Sequence, residues 1–328
     1  MSVDVAIVGA GLAGIACARQ LVDRGISVLL FDKGRKPGGR LSTRRAGETR
    51  FDHGAPHFSA SSRRFAEVVD SWAQAGWVAR WEGRFVTISE RGREDWSIEP
   101  WVGVPSMSAL PRALAEGLDV RAPVRIGSIR AVDGGWQLVD EHGAAQATAR
   151  SAIINTPAGQ AAPLLHGSLR EQASAANDAM DPCWTVMVVP SDPWEPGFDA
   201  AQFGAGPLSR ATSQRAKPGR DAAAGWVLHA TAGWTRDHWE DAPEDVIAAL
   251  TKAAGVPPGH AFAKAHRWRY ARTRAGVDGD CLWDGAARMG ACGDWCGGPG
   301  LEGAWRSGEA MAARILEDPI TDRGRDPG

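Results

Sequence analysis

The chain lacks a large net charge of either sign, because its 37 lysines and arginines nearly balance its 39 aspartates and glutamates over 328 residues. A formal charge of -2 gives no electrostatic reason to expect nucleic acid or an anionic membrane as a partner. Long apolar runs are also missing, and neither a basic leader nor a signal-length apolar stretch precedes the first predicted strand. We therefore expect a cytoplasmic protein with no nucleic-acid or membrane partner.

Cysteine is scarce too, and five residues without a C-x-x-C pair predict neither a disulfide framework nor a zinc site. His53 and His57 have the i, i+4 spacing of a helical metal pair, but Gly54 and Pro56 between them break a helix. We therefore expect no metal site, and thiols that are buried. A G-x-S-x-G elbow is likewise missing, which argues against a serine hydrolase of that type. The cysteines are Cys17, Cys183, Cys281, Cys292 and Cys296.

Three glycines have G-x-G-x-x-G spacing at the point where a first apolar strand, residues 3–8, is predicted to become a helix. Gly9 permits the tight turn, Gly11 lets the backbone approach a pyrophosphate, and Gly14 lets the helix pack closely on the strand. The next predicted strand ends in Asp32, placed to accept a hydrogen bond from a ribose hydroxyl. This order of strand, loop, helix and acid predicts a nucleotide-binding unit that favours an unphosphorylated adenosine ribose.

A second glycine-rich stretch places Arg40 directly after paired glycines, where a guanidinium can pair with the same pyrophosphate. The strand, glycine loop, acid and G-G-R together resemble the FAD-binding half of the flavin amine oxidase superfamily. Near the end of the chain, Gly293-Asp294 and a glycine-rich helix start resemble the last FAD motif of that superfamily. The resemblance implies that Asp294 holds the flavin ribitol. It also implies that the following helix, expected to reach about Leu316, points its positive end at the pyrimidine edge, where it stabilises a reduced flavin anion.

The cofactor that the resemblance implies is FAD, and we expect it to be bound non-covalently because no attachment motif is evident. Its expected contacts come from both motifs and from positions between them. They are Gly9, Gly11, Leu12, Ala13, Gly14, Asp32, Lys33, Gly39, Arg40, His57, Val124, Thr156, Asp294, Leu301 and Glu302.

The middle of the chain has three predicted strands rich in tryptophan and β-branched residues, which indicate a second, mostly antiparallel sheet. In the last of them His266, Trp268 and Tyr270 share one face, while Arg267 and Arg269 share the other. Such an aromatic face is either core or one wall of a substrate pocket, and the three strands as predicted contain no Asp or Glu. The residues expected to position the substrate are Trp184, His229, His266, Trp268 and Tyr270. A basic loop, expected to be solvated or else to contact a substrate phosphate, contains Arg210, Arg215, Lys217 and Arg220.

Seven stretches narrow the resemblance to the renalase branch of the superfamily, because they occur in the same order over nearly the whole chain. This branch implies an oxidase that takes a hydride from the 2- and 6-dihydro isomers of NAD(P)H, releases NAD(P)+ and reduces O2 to hydrogen peroxide. His57 and Thr273 depart from the family pattern, in which Tyr and Pro are usual. The alternatives are a flavin amine oxidase or desaturase, and a flavin-binding protein whose partner matters more than its chemistry. The stretches are G-G-R-L-S-T-R-R, F-D-H-G-A-P-H-F, M-D-P-C-W, K-P-G-R, W-V-L-H-A-T, A-H-R-W-R-Y-A-R and C-G-D-W-C-G-G-P-G-L-E-G-A-W.

The other G-x-G-x-x-G spacing, at Gly298, Gly300 and Gly303, falls inside the last FAD motif and does not follow a strand directly. A dinucleotide substrate is therefore expected to enter the substrate pocket rather than a reductant site of its own. The length and the 44% hydrophobic content favour two domains. We expect an α/β fold with a Rossmann-like FAD-binding domain, of the amine oxidase and p-hydroxybenzoate hydroxylase type, and a mostly antiparallel β-sheet substrate domain. The expected bounds are 1–57, 102–160 and 286–318 for the first, 58–101 and 161–285 for the second, and 319–328 for a disordered tail.

Overall fold

The computed structural model describes residues 1–220 and 225–318, and the expected tail lies outside the described residues. The chain divides into two compact units. Unit 1 consists of Met1–Gly39, Leu114–Met180 and the described residues from Thr273 on, and unit 2 consists of Arg40–Ala113 and Asp181–Arg272.

These bounds differ from the expected ones at every crossing between the units. Residues 40–57 and 102–113 lie in unit 2 rather than with the nucleotide-binding segments, and residues 161–180 and 273–285 lie in unit 1. The physical reason for the first shift is that the side chain of Asp52 is bound by residues of the later part of unit 2, which are described below.

The elements are numbered in chain order. The strands are β1 (Ser2–Val8), β2 (Val28–Phe31), β3 (Arg44–Ala46), β4 (Thr49–Phe51), β5 (Val78–Arg80), β6 (Phe85–Ser89), β7 (Gly92–Asp95), β8 (Trp101–Gly103), β9 (Asp119–Arg121), β10 (Ile126–Val132), β11 (Gly135–Asp140), β12 (Ala145–Ile154), β13 (Met180–Pro190), β14 (Ala200–Phe203), β15 (Leu208–Ser213), β16 (Trp226–Ala230), β17 (His260–Thr273), β18 (Leu282–Asp284) and β19 (Met289–Ala291). The helices are α1 (Leu12–Val22), α2 (Arg63–Gln74), α3 (Ala109–Leu114), α4 (Ala158–Ala161), α5 (Gly167–Asn177), α6 (Ala232–Asp237), α7 (Pro243–Ala254), α8 (Asp294–Gly297) and α9 (Gly300–Glu317), with a 3-10 turn at Ala162–Leu164.

Unit 1 is organised around a sheet in the order β10-β11-β12-β1-β2-β9. Strand β1 runs parallel to both β12 and β2, and β2 runs parallel to β9. Strand β19 extends the parallel part by pairing with the end of β12, whereas β10, β11 and β12 are antiparallel. The buried apolar side chains of β1 and β2 explain why these strands lie at the centre of the sheet. This is the expected Rossmann-like arrangement.

Helices α1 and α9 pack against each other in unit 1 through small residues. A side chain added at Gly308 of α9 would collide with the backbone carbonyl of Ala13 in α1, so the two backbones are in direct contact. The contact holds the first helix of the chain against the last described one.

Unit 2 contains a seven-stranded sheet in the order β17-β13-β16-β15-β14-β6-β7. The pairings of β13 to β16, β16 to β15 and β15 to β14 are antiparallel, while β14 runs parallel to β6. The three tryptophan-rich stretches become β17, β13 and β16, which are neighbours in this sheet. Strands β6 and β7 form an antiparallel hairpin. Unit 2 thus has the expected second sheet, mostly antiparallel and mixed at one pairing.

The two faces of the unit 2 sheet have different partners. On one face, Trp184 and Leu228 pack with Val246 and Leu250 of α7. On the other face, Met187 and Val227 pack with Phe51. Alternation of side chains along the strands places His229, two residues after Val227, on this second face.

Helix α3 begins at Ala109 and ends at Leu114. The backbone N–H of Met107 donates to the carboxylate of Asp52 at 3.0 Å, and that of Ser108 donates to the hydroxyl of Thr43 at 3.1 Å. Because these two amides are bound by side chains of another segment, the helix starts after them.

Candidate functional site

The glycine loop of unit 1 has the backbone that the motif predicts. Gly9 has a φ of +108°, and a side chain there would collide with the carbonyl of Asn155. A Cβ at Gly14 would lie 2.5 Å from the carbonyl oxygen of Gly9, so the helix and the turn pack too closely for any other residue. Helix α1 begins after Gly11 without a side-chain cap or an acidic residue in its first turn, which leaves its amides to an anion.

Asp32 closes this loop from the end of β2. Its Oδ2 accepts the backbone N–H of Ala10 at 2.8 Å, and its Oδ1 accepts that of Gly34 at 2.6 Å. Burial raises the pKa of Asp32 against the lowering effect of these two hydrogen bonds. Each carboxylate oxygen has a further lone pair, so the geometry remains compatible with a ribose hydroxyl.

Lys33, Gly39 and Val124 lie around the same loop. The ammonium of Lys33 donates to Gln160 Oε1 at 3.0 Å, and the N–H of Val124 donates to the backbone carbonyl of Asp32 at 2.7 Å. Gly39 has a φ of +52°, and a Cβ there would lie 3.8 Å from the Cα of Gly11. The predicted contacts of the first motif are therefore neighbours in unit 1.

The end of β12 joins the first motif to the second. Asn155 Nδ2 donates to the carbonyl of Cys292 at 2.9 Å, and Trp295 Nε1 donates to the carbonyl of Thr156 at 2.9 Å. Asn155 Oδ1 and Thr156 Oγ1 are buried and have no hydrogen-bond partner within the described chain. Buried polar atoms are normally satisfied, so these two orphaned atoms beside the glycine loop fit a polar cofactor such as FAD.

The second motif is also in unit 1. Asp294 is buried and begins α8, and the N–H of Gly293 before it donates to Ser307 Oγ at 2.9 Å. Leu301 and Glu302 are half-buried in the first turn of α9. Of the predicted FAD contacts, Arg40 and His57 are the ones that lie in unit 2.

Unit 2 brings together a group of side chains that we call the histidine face, formed by His53, His57, His229 and His266. The ring of His53 lies 5.1 Å from that of His266 and 5.3 Å from that of Trp268. Trp268 Nε1 donates to the carbonyl of His53 at 3.0 Å, and His229 Nε2 lies 3.0 Å from the carbonyl oxygen of Gly54. The segment 53–57, which is not helical, thus packs on strands β16 and β17.

The histidine face is held uncharged. Burial, assisted by nearby charged groups, lowers the pKa of His53 to about 4 and that of His229 to about 3. Burial also puts the pKa of His57 well below its usual value and lowers that of His266. All four rings are therefore neutral near pH 7.

Behind this face lies a buried ion group of Asp52, Lys217 and Arg220. Asp52 Oδ2 accepts from Lys217 Nζ at 3.1 Å and from Arg220 Nη2 at 2.6 Å, and all three side chains are at most 2% exposed. Burial raises the pKa of Asp52, but the two cations outweigh it and lower that pKa to about 2. Lys217 shares its carboxylate with Arg220, so burial prevails there and lowers its pKa to about 8.

The expectation of a solvated basic loop is therefore wrong for Lys217 and Arg220, which neutralise a buried carboxylate. Arg215 is exposed, with Nη2 3.9 Å from Glu195 Oε1. Arg210 lies on β15 opposite His229, and its guanidinium carbon is 5.3 Å from the ring centre of Trp96. Burial lowers the pKa of Arg210 to about 10, so it remains a cation at pH 7.

Two expectations about the predicted substrate residues need correction. Trp184 lies on the α7 face, where its Nε1 donates to the carbonyl of His238 at 2.9 Å, because side chains alternate along β13 and Thr185 is the residue opposite His229. Strand β13 begins at Met180 and so includes Asp181, which pairs with Arg236. His229, His266 and Trp268 do come together, and Tyr270 follows on the same side of β17 by alternation.

Residue-type reasoning did not select His53 or Asp52 as functional, and it considered Arg210 only as part of a basic loop that is solvated or contacts a substrate phosphate. The signal for the first two was present in the F-D-H-G-A-P-H-F stretch, which served only as part of the resemblance. Cys17, Cys292 and Cys296 are buried as expected, whereas Cys183 and Cys281 are half-buried.

Two searches of the described residues gave no candidates. In residues 1–220 and 225–318, no group of three or more His, Cys, Asp or Glu side chains could hold a metal ion. No helix in the same ranges is both long and apolar enough to cross a membrane.

Comparison with known proteins supports the nucleotide-binding motif. Residues 7–72 match the family model of the NAD(P)-binding Rossmann-like domain. The tRNA 5-methylaminomethyl-2-thiouridine biosynthesis bifunctional protein MnmC of Thiobacillus denitrificans is 27% identical over 197 residues, which are 46% of this chain and 31% of that protein. Lysine-specific histone demethylase 1 homolog 2 of Arabidopsis thaliana is 51% identical over 44 residues, which are 13% of this chain and 6% of that protein. The chain thus spans less than a third of either curated relative.

Solved structures resemble the chain over nearly its whole length. A triple mutant of putrescine oxidase, described as a redesign of cofactor binding, has a TM-score of 0.71 at 15% identity and covers 97% of this chain and 99% of its own. A putative protoporphyrinogen oxidase from Exiguobacterium sp. 255-15 has a TM-score of 0.74 at 14% identity, over 96% and 99% of the two chains. The chain therefore has the same fold as these two solved oxidases over nearly its whole length.

Proposed function

We propose that the protein is a cytoplasmic oxidase that takes a hydride from 2- and 6-dihydro-NAD(P), releases NAD(P)+ and uses O2 to form hydrogen peroxide, as the resemblance to the renalase branch implies. The observation that carries the proposal is the charge of the histidine face. Its four imidazoles are neutral, its buried carboxylate Asp52 is matched by two cations, and Arg210 adds a further positive charge.

This charge balance argues against a cationic amine as the substrate. An ammonium ion needs a carboxylate or an exposed aromatic surface without a competing cation. Asp52 is committed to Lys217 and Arg220, and Asp181 is paired with Arg236. An uncharged ring with an anionic phosphate tail suits such a surface better.

The low basicity of the histidines also suits the proposed reaction. A dihydronicotinamide gives up a hydride without losing a proton and becomes aromatic, so its oxidation needs alignment and no strong general base. With a pKa of about 3, His229 is a poor base at neutral pH. When bound, FAD supplies the chemistry by accepting the hydride and passing the electrons to O2.

The test is anaerobic stopped-flow reduction of the FAD-loaded protein. We expect rapid bleaching of the flavin by 2- or 6-dihydro-NAD(P), much slower bleaching by ordinary NAD(P)H, and none by putrescine or simple primary amines. Rapid bleaching by an amine, steeply slower at low pH and with the isomeric dihydronicotinamides inert, would overturn the proposal in favour of an amine oxidase. Yellow protein that none of these reductants bleaches would favour a flavin-binding protein without this chemistry.

A further inference from the structure

Besides Nδ1 of His53, four buried polar atoms on or next to the histidine face have no hydrogen-bond partner within the described chain. They are both ring nitrogens of His57, Nδ1 of His229 and Nε of Arg210. Protein interiors pair nearly all such atoms, so a group of unpaired ones in unit 2 indicates a place where a polar ligand completes the bonds.

These atoms belong to one neighbourhood. Arg210 and His229 are opposite each other on β15 and β16. Arg210 and Lys217 are cations close enough to His57 to lower its pKa. The ring of Trp96 lies 5.8 Å from that of His57 and 5.3 Å from the guanidinium carbon of Arg210, so both approach the same indole.

The hydrogen-bonding character of the unpaired atoms determines which donors and acceptors the ligand must have. The Nε–H of Arg210 is a donor and needs an acceptor oxygen, whereas each neutral imidazole has one donor and one acceptor nitrogen. A carboxamide provides a carbonyl oxygen and an NH2 group and can therefore satisfy both kinds of partner. An ammonium provides only donors and would be repelled by Arg210.

We propose that His57, Arg210 and His229 recognise the carboxamide of the substrate ring, with Trp96 as a flat surface beside it. The assignment rests on the proposed function and names the group by which the dihydronicotinamide is selected. It also gives a reason for His57, which offers two ring nitrogens where the family pattern has the single hydroxyl of Tyr.

The experiment is calorimetric titration of the FAD-loaded protein with benzamide, a planar carboxamide that is not oxidised, and with acetophenone, which lacks the NH2 group. We expect benzamide to bind more tightly than acetophenone, and Arg210→Met and His57→Phe each to weaken benzamide by tenfold or more. Arg210→Lys keeps the charge without Nε and is expected to weaken benzamide as well, which covers the case that Arg210→Met fails to fold. The matched control is Arg269→Met, because Arg269 is exposed and lies over Trp239, so benzamide affinity should not change.

The inference fails if wild-type protein does not bind benzamide, if acetophenone binds equally well, or if the folded Arg210 and His57 variants retain wild-type affinity. This readout is independent of turnover. Benzamide binding that depends on Arg210, together with no bleaching by any dihydronicotinamide, would leave the carboxamide site standing and overturn the proposed function alone. Rapid bleaching with variant-insensitive benzamide binding would do the reverse.

Discussion

Replacing Asp52 by Asn should destabilise unit 2 severely. The carboxylate accepts four hydrogen bonds: from Thr43 Oγ1 at 2.7 Å, Met107 N–H at 3.0 Å, Lys217 Nζ at 3.1 Å and Arg220 Nη2 at 2.6 Å. Asn can keep an acceptor for part of this set but removes the negative charge that pairs with the two buried cations. Breaking a buried ion pair from one side typically costs about 3–5 kcal/mol.

That cost converts to a measurable shift in urea unfolding. With a slope of about 3 kcal/mol per molar urea, the midpoint of Asp52→Asn should fall by about 1–2 M. The matched control is Glu67→Gln, which removes a carboxylate contact to Arg63 at the same distance of 3.1 Å. In this pair the side chains of Arg63 and Glu67 are 94% and 64% exposed. Exposed pairs contribute little, so its midpoint should stay near that of the wild type.

Two further measurements separate charge from packing. Lys217→Met in the Asp52→Asn background should recover part of the midpoint, because one of the two stranded cations is gone. In the wild type, the pKa of Asp52 is lowered to about 2, so its contribution to stability is complete above about pH 4 and is lost as the pH falls towards 2. An Asp52→Asn midpoint as close to wild type as that of Glu67→Gln would refute the reasoning.

Three other predictions concern the cofactor and the sheet. Asp32→Ala should weaken FAD binding by about 10- to 100-fold, because a charged hydrogen-bond acceptor is lost, while the reduction potential of the flavin stays unchanged. Equilibrium dialysis at a series of FAD concentrations measures the affinity, and a normal affinity would contradict the ribose contact. Acid precipitation should release all the flavin, and a yellow pellet would show that the FAD is covalently bound. Trp184→Phe should lower the melting temperature without changing the KM for dihydronicotinamide, because Trp184 packs with α7; an altered KM with unchanged melting would return it to the substrate site.

The parts of the fold that follow from the sequence are those encoded locally. Gly9 and Gly14 sit where any side chain would strike backbone atoms, so the spacing of the motif by itself specifies the turn. The alternation of His266 and Arg267 along β17 likewise separates two faces, and the structure confirms the separation: His266 lies beside His53, and Arg267 lies over Trp184.

What the sequence does not reveal is which partner covers a face or meets a charge. Lys217 and Asp52 are separated by 165 positions, and a lysine in a Pro-Gly loop is ordinarily solvated. Trp184 and His229 occur in similar tryptophan-rich strands, but Trp184 faces α7 and His229 faces the segment 53–57. Such assignments depend on tertiary contacts that have no local pattern.

The contact between Gly308 and Ala13 has a consequence for synthesis on the ribosome. Helix α1 is synthesised before both segments of unit 2, whereas β19 and α9, which belong to the same unit as α1, are synthesised after them. Both segments of unit 2 have been synthesised once the chain reaches Arg272, so unit 2 can fold before α9, which packs against α1, has been made. A chain truncated before Gly300 would therefore keep the first G-x-G-x-x-G sequence but would lack the helix α9 that packs against α1.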